Sequence, residues 1–273
     1  TGVYLDPNSG NDTNDGKSET TAIKTLRNAL TMAQGGTIYL LNPINIDEDV
    51  TLENVTLRPG TANLTYMLKV NADKKVTLKN VIINNLTPEN SSCNFSENPI
   101  QVYGTLTIEE TIEDGTEIGP FPGKSCIDAK NGSTVNLTGG TIQGNGQDRV
   151  ENGGGIYADH ATVNMSGGTI RNQVATHGGG IYATYSTVNM SGGTISENYA
   201  EGTGGGIHTY PEDTNSETNA DPEDTVINMT GGTISNNYAT SGGGISAQTS
   251  KVILKGGIIT NNRSVMGAGI CLL

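Results

Sequence analysis

Asp128 and Asp159 are the two carboxylates of this 273-residue chain best placed for paired acid–base work. Glycoside hydrolysis needs two such groups, about 5.5 Å apart for retention and roughly 6.5–9.5 Å for inversion. Near them in the repeat stand Tyr103, Tyr157, Tyr182, His208 and Tyr210, in a chain with no Trp and only two Phe. A tyrosine offers its ring to a sugar face and its hydroxyl to a hydrogen bond. The chemistry on offer is therefore recognition of a glycan or its cleavage. Asp148 and Glu151 form a second acidic pair, and Lys124, Lys130, Arg149 and Arg171 are the bases nearby, with no cluster among them. His160, His177 and His208 fall at different repeat positions, so no set of metal ligands is expected, and no metal or other cofactor is assigned.

What positions these residues is a repeat. Glycine pairs at Gly139-Gly140, Gly167-Gly168, Gly192-Gly193, Gly231-Gly232 and Gly256-Gly257 recur at intervals of 28, 25, 39 and 25 residues. Glycine triplets starting at Gly153, Gly178, Gly204 and Gly242 recur in step. Between them, "VNMSGGTI" and "GGGIYATY" alternate apolar and polar residues, the pattern of strands with one buried face. A unit of about 25 residues built from two or three such strands cannot bury its apolar face alone, but stacked copies can. Weaker copies at Val50, Val76 and Leu106 extend the series to about eight rungs. The expected fold is all-β: a right-handed, single-stranded parallel β-helix over residues 37–273, interrupted by an acidic insertion at 209–225. One turn position holds Asn145, Gln173, Asn198, Asn237 and Asn262, where stacked amides would form a hydrogen-bonded ladder. The many N-x-S/T sequons, among them Asn164, Asn189 and Asn228, are read as products of the repeat rather than as glycosylation sites.

Aligning the strand that contains "GGGIYA" gives two outward columns. The first is Lys69, Gln101, Asp128, Tyr157, Tyr182, His208 and Ser246. The second is Asn71, Tyr103, Lys130, Asp159, Thr184, Tyr210 and Gln248. Their inward neighbours include Ile100, Ile127, Ile156, Ile181, Ile207 and Ile245, so the two faces are distinguishable. This face varies where the others repeat, and the insertion, with six carboxylates and no base, leaves from the same strand. A ligand-binding surface is expected here, formed by Tyr157, Tyr182, His208, Tyr210, Asp128, Asp159 and Tyr103; an ordinary solvated sheet face is the bland alternative.

Residues 1–36 differ from the repeats. A strand at 3–6 and a turn-rich loop precede a helical pattern over 22–33, with Ile23, Leu26, Leu30 and Met32 on one face. Together they read as a cap over the first rung. "YLDPNSGNDTNDGKSETTAIKTLRNAL" resembles the N-terminal cap of right-handed parallel β-helix proteins of the pectate-lyase-like superfamily. The "VNMSGGTI…GGGIY" repeats resemble those of adhesin-like microbial surface proteins, and also the β-helix domains of some carbohydrate-active enzymes, including lacto-N-biosidases. The resemblance implies an extracellular setting, cell-surface or secreted, as a piece of a longer chain. Calcium in the "NDTNDG" loop is a weak alternative, because position 12 of the EF-hand pattern is Ala22.

Composition narrows the field further. A net charge of −13 leaves no basic footprint for nucleic acid and no attraction to an anionic membrane surface. No apolar run is long enough to span a bilayer. Cys93 and Cys126 lie on adjacent rungs and could pair, and Cys271 sits at an outward position. Three functions remain: an adhesin-like domain binding host or plant glycans or proteins, a glycoside hydrolase or polysaccharide lyase with Asp128 and Asp159 as its pair, and a passive spacer.

Overall fold

The structure is a computed structural model and describes residues 2–211 and 225–273. The acidic insertion expected at 209–225 therefore lies almost wholly outside the described residues. The chain coils as a parallel β-solenoid of about eight turns. Three long parallel sheets of ten, nine and eight strands run along it. One complete turn shows the course. Thr169–Arg171 lies in the first sheet, Val174–His177 in a short flanking sheet, Ile181–Thr184 in the second sheet and Thr187–Met190 in the third.

Along the three long sheets, residues sit over their copies in the neighbouring turn. Ile127 pairs with Ile156, Ile156 with Ile181, and Ile181 with Ile207, and each is fully buried. Val163 over Val188 and Ile170 over Ile195 complete the other two walls of the core. The core is thus a thin column of aliphatic stacks, which explains how a chain only 33% hydrophobic stays folded. In the last turn, Leu254, Ile258 and Leu272 are exposed.

Corners are made by residues that tolerate left-handed backbone. Asn172, Glu197, Asn236 and Asn261 occupy one corner with φ of 54–58°. The next residue turns inward. Asn198, Asn237 and Asn262 form a ladder in which the Oδ1 of Asn237 and of Asn262 accepts both the backbone and the side-chain N–H of the asparagine one turn before, at 3.0 Å. Gln173 joins through its backbone N–H at 3.1 Å from Asn198 Oδ1. Asn145 does not join: it is exposed and caps its own turn, accepting from the backbone of Gln147 and Asp148. A second ladder runs along the third sheet, where Asn164, Asn189 and Asn228 each donate Nδ2 to the preceding amide at 2.9 Å. Those nitrogens are the atoms a glycan would need, and the ladder already uses them.

At the N-terminus, Val3–Leu5 is the edge strand of the first sheet, paired with Thr37–Leu40. The helix α1 spans Leu26–Ala33, four residues shorter at its start than the periodicity predicts. Thr25 caps it, and Ile23 is instead extended, bridging to Leu5 and fully buried. Pairing with an open strand edge outweighs a fourth helical residue on the apolar face. Oxygens of the "NDTNDG" loop accept from N–H groups of the loop itself and of the segment that leads into α1. Asn11 accepts from Thr13, Asp12 from the N–H groups of Lys24 and Thr25, and Asp15 from Lys17.

The cysteines are free thiols, so Cys93 and Cys126 do not pair. They occupy different repeat positions, which stacking does not superpose. Burial pushes the Cys93 thiol up to about 11 and Cys126 to about 12, with Gln173 offsetting a little of the latter through its amide. Cys271 is only half-buried. A thiol reagent at pH 8 is expected to label one equivalent in the native protein, at Cys271, and three after denaturation. Rapid labelling of Cys126 in the native state would contradict this core.

Candidate functional site

The outward columns expected from the sequence are the ones the structure builds. Lys69, Gln101, Asp128, Tyr157, Tyr182, His208 and Ser246 pair in register along the second sheet, rung over rung. Lys130, Asp159 and Thr184 are in register in the adjacent column. The alternation that put isoleucine inside put these side chains on the other face.

That face is not simply solvated, as the bland alternative would have it. Asp128, Tyr182, His208 and Ser246 are buried, while Tyr157, Tyr103 and Asp159 are half-buried. Part of the reason is the flanking sheet of Val150–Asn152, Val174–His177 and Tyr199–Thr203, which sequence reasoning did not separate from the turns. Each of its strands runs into a glycine triplet and then directly into the second sheet. Gly178, with φ +63°, makes that corner after His177, where a Cβ would lie 2.4 Å from the Ile181 carbonyl oxygen. The sharp bend folds the two sheets toward one another. His177 and His208, assigned to unrelated repeat positions, come together with ring centroids 5.5 Å apart. The signal for this was present in the sequence as a histidine immediately before a glycine triplet. His160 is elsewhere, stacked on Tyr185 at 4.8 Å.

The aromatic residues make a continuous run. Tyr157 stacks on Tyr182 at 5.5 Å and 5°, Tyr182 meets His208 at 5.4 Å, and His208 lies over Tyr210 at 6.4 Å. Stacking at rung spacing turns ring faces toward each other. With Tyr182 and His208 buried, only Tyr157 and Tyr210 at the ends of the run are partly exposed, rather than the broad platform that tyrosines suggest in the sequence. Tyr103 stands apart, with Lys69 Nζ 5.8 Å from its ring and 4.8 Å from that of Tyr66.

The two aspartates are held differently. Asp128 Oδ2 pairs with Lys130 Nζ at 3.1 Å and accepts from Asn98 Nδ2 at 3.2 Å, whereas Oδ1 is buried without a hydrogen-bond partner. Asp159 Oδ1 binds His160 Nδ1 at 2.6 Å. Burial lowers the Lys130 pKa, but the charge of Asp128 and its hydrogen bond, with a smaller contribution from Asp159, raise it on balance. Lys130 thus stays cationic between the carboxylates. In the second acidic pair, Asp148 accepts from Asn145 and Glu151 from Thr176. Among the described residues, no group of three or more His, Cys, Asp or Glu side chains could hold a metal ion.

His208 is the most perturbed base of the site. Desolvation, then the neighbouring His177, lower its pKa to about 3, against a small opposing hydrogen bond to the Ser246 backbone. Its folded value lies below the unfolded one, so between about pH 3 and 6.5 the unfolded chain binds the extra proton. Stability from this group is complete above about pH 6.5 and falls as pH drops toward 3. Acidification to pH 4 is expected to cost on the order of 3 kcal/mol through this residue. Urea unfolding of wild type and His208→Gln at pH 7 and pH 4 checks it, the variant losing less.

Fold and site together define a parallel β-solenoid carrying one variable face of aromatic and buried polar side chains. No protein-family model matches this chain, nor does any curated protein or solved structure.

Proposed function

We propose that this chain is an extracellular, adhesin-like β-solenoid domain of a microbial surface protein that binds host or plant glycans on the outer face of the second sheet. The observation that carries the reading is the contrast between this face and the other two. Elsewhere most outward residues of the middle turns repeat, as Thr162 over Thr187 and Asn164 over Asn189, although Gln143, Arg171 and Ser196 replace one another in the first sheet. Here Asp128, Tyr157, Tyr182, His208 and Ser246 replace one another from rung to rung. Stacking favours like over like, so a column that departs from it answers to something other than the fold. The resemblance to the pectate-lyase-like superfamily and to adhesin-like repeats supports the same reading.

A hydrolytic role for Asp128 and Asp159 is less favoured. Hydrolysis needs one carboxyl kept protonated beside an ionised one. Asp128 instead pairs with Lys130 at 3.1 Å and Asp159 with His160 at 2.6 Å, so each carboxylate already has a protein partner.

The test is a glycan-array screen with mucin-type and plant polysaccharides, repeated with Tyr157→Ala. Tyr157 is half-buried at the end of the aromatic run, and its loss is expected to weaken retention of the best hit about tenfold. The circular dichroism spectrum should stay unchanged. Undiminished retention by the variant, or cleavage of the bound glycan, would overturn the proposal.

A further inference from the structure

Tyr199 and Tyr238 stand outside the columns that the sequence singled out. They stack on successive turns in line with the flanking sheet, ring centroids 5.2 Å apart and 7° from parallel. Tyr182 is 2% exposed, whereas these two are open to solvent at 42% and 40%. The next residue of their column is Arg263, bridged to Tyr238 through the backbone and exposed. Among the described residues, Arg263 enters no ion pair. Two positions earlier, the left-handed corner sets a second outward column of Glu197, Asn236 and Asn261, all exposed. The residues between the columns turn inward as the amide ladder. Two outward columns flanking an inward one leave a groove, and residues 236–238 and 261–263 line about 580 Å³ of it.

The walls of this groove differ in chemistry. The tyrosines present ring edges and phenol hydroxyls on one side, and the amides of Asn236 and Asn261 present donors and acceptors on the other. That combination suits the C–H and O–H groups of a sugar. The guanidinium of Arg263 stands at one end, with a donor fork that matches a carboxylate. Charge gives the groove a direction. Residues 225–273 carry Lys251, Lys255 and Arg263 and no carboxylate, in a chain of net charge −13. Glu197 marks the other end, and Glu201 is committed to Arg149. A ligand with one anionic end is drawn to Arg263 and held off Glu197.

We infer that the groove between Tyr238 and Arg263 is a second binding site, taking a glycan that ends in a carboxylate-bearing sugar. It lies off the outer face of the second sheet and does not rest on the reading of that face.

Calorimetric titration with sialyllactose and with lactose tests it, on wild type, Arg263→Gln and Tyr157→Ala. Sialyllactose is expected to bind wild type at least about fivefold more tightly than lactose, and Arg263→Gln to remove that margin, the worth of an exposed ion pair. Salt at about 0.5 M should weaken sialyllactose binding, because the pair is exposed to screening. Tyr157→Ala should leave it unchanged. Equal binding of the two sugars, full affinity in Arg263→Gln, or no binding at all would overturn the inference. So would polyglutamate binding as tightly as sialyllactose, which would make the groove a site for acidic peptides. Loss of sialyllactose binding in Tyr157→Ala alone would place the ligand on the second sheet, overturning this inference while leaving that reading in place.

Discussion

Asn237→Leu is expected to destabilise the protein by roughly 3–5 kcal/mol, far beyond an ordinary surface change. The substitution keeps the branched shape but not the bonding. Asn237 Oδ1 accepts the backbone N–H and side-chain Nδ2 of Asn198, both at 3.0 Å. Its Nδ2 donates to the Ile195 carbonyl at 2.9 Å and to Asn262 Oδ1 at 3.0 Å. Leucine leaves two donors and a carbonyl on neighbouring turns unpaired inside the coil, where water does not replace them. The contrast is Asn164→Ala in the half-buried ladder of the third sheet, where solvent can take over the lost bonds and about 1 kcal/mol is expected. Guanidinium unfolding of the two variants measures the difference. Equal, small losses would mean that the inner ladder is dispensable. Because each turn contacts only its neighbours, hydrogen exchange should show the loss centred on the turns of Asn198, Asn237 and Asn262.

Gly205→Ala is expected to cost about as much, by a different route. A Cβ there would lie 2.5 Å from the carbonyl oxygens of both Gly243 and Tyr238. Both are backbone atoms of the next turn, whose separation is fixed by bonds such as Gly206 N–H to Gly243 O at 3.1 Å. No side-chain rotation relieves the overlap, so the turns must part, at roughly 3–5 kcal/mol. Gly132→Ala is the control, with open space around it and only its φ of +82° to strain, for about 1 kcal/mol. The triplet at Gly204 leads into the strand of His208, so parting these turns also disturbs the His177–His208 contact. Glycan retention should then fall together with stability. A Gly205→Ala protein as stable as Gly132→Ala would show that the glycine stack is not close-packed.

The amide ladder of Asn237 was readable in advance from its repeat position, whereas the carbonyls that crowd Gly205 were not. The periodicity of "VNMSGGTI" and "GGGIY" determined by itself that the chain coils with like residues stacked. Only stacked copies bury Ile156, Ile181 and Ile207 together, and period-two alternation fixes which side chains face out. The column from Lys69 to Ser246 was therefore legible residue by residue. What only the tertiary structure decided lies at the corners, where repeat position no longer dictates contact. The bend at Gly178 carries His177 over His208, and stacking at rung spacing spends the faces of Tyr157 and Tyr182 on each other. The pairing of Lys130 with Asp128 runs along one strand, and the orphaned Asp128 Oδ1 follows from burial, which no spacing encodes. Periodic letters report the contacts between equivalent positions; a site made from non-equivalent ones exists only after the chain has turned.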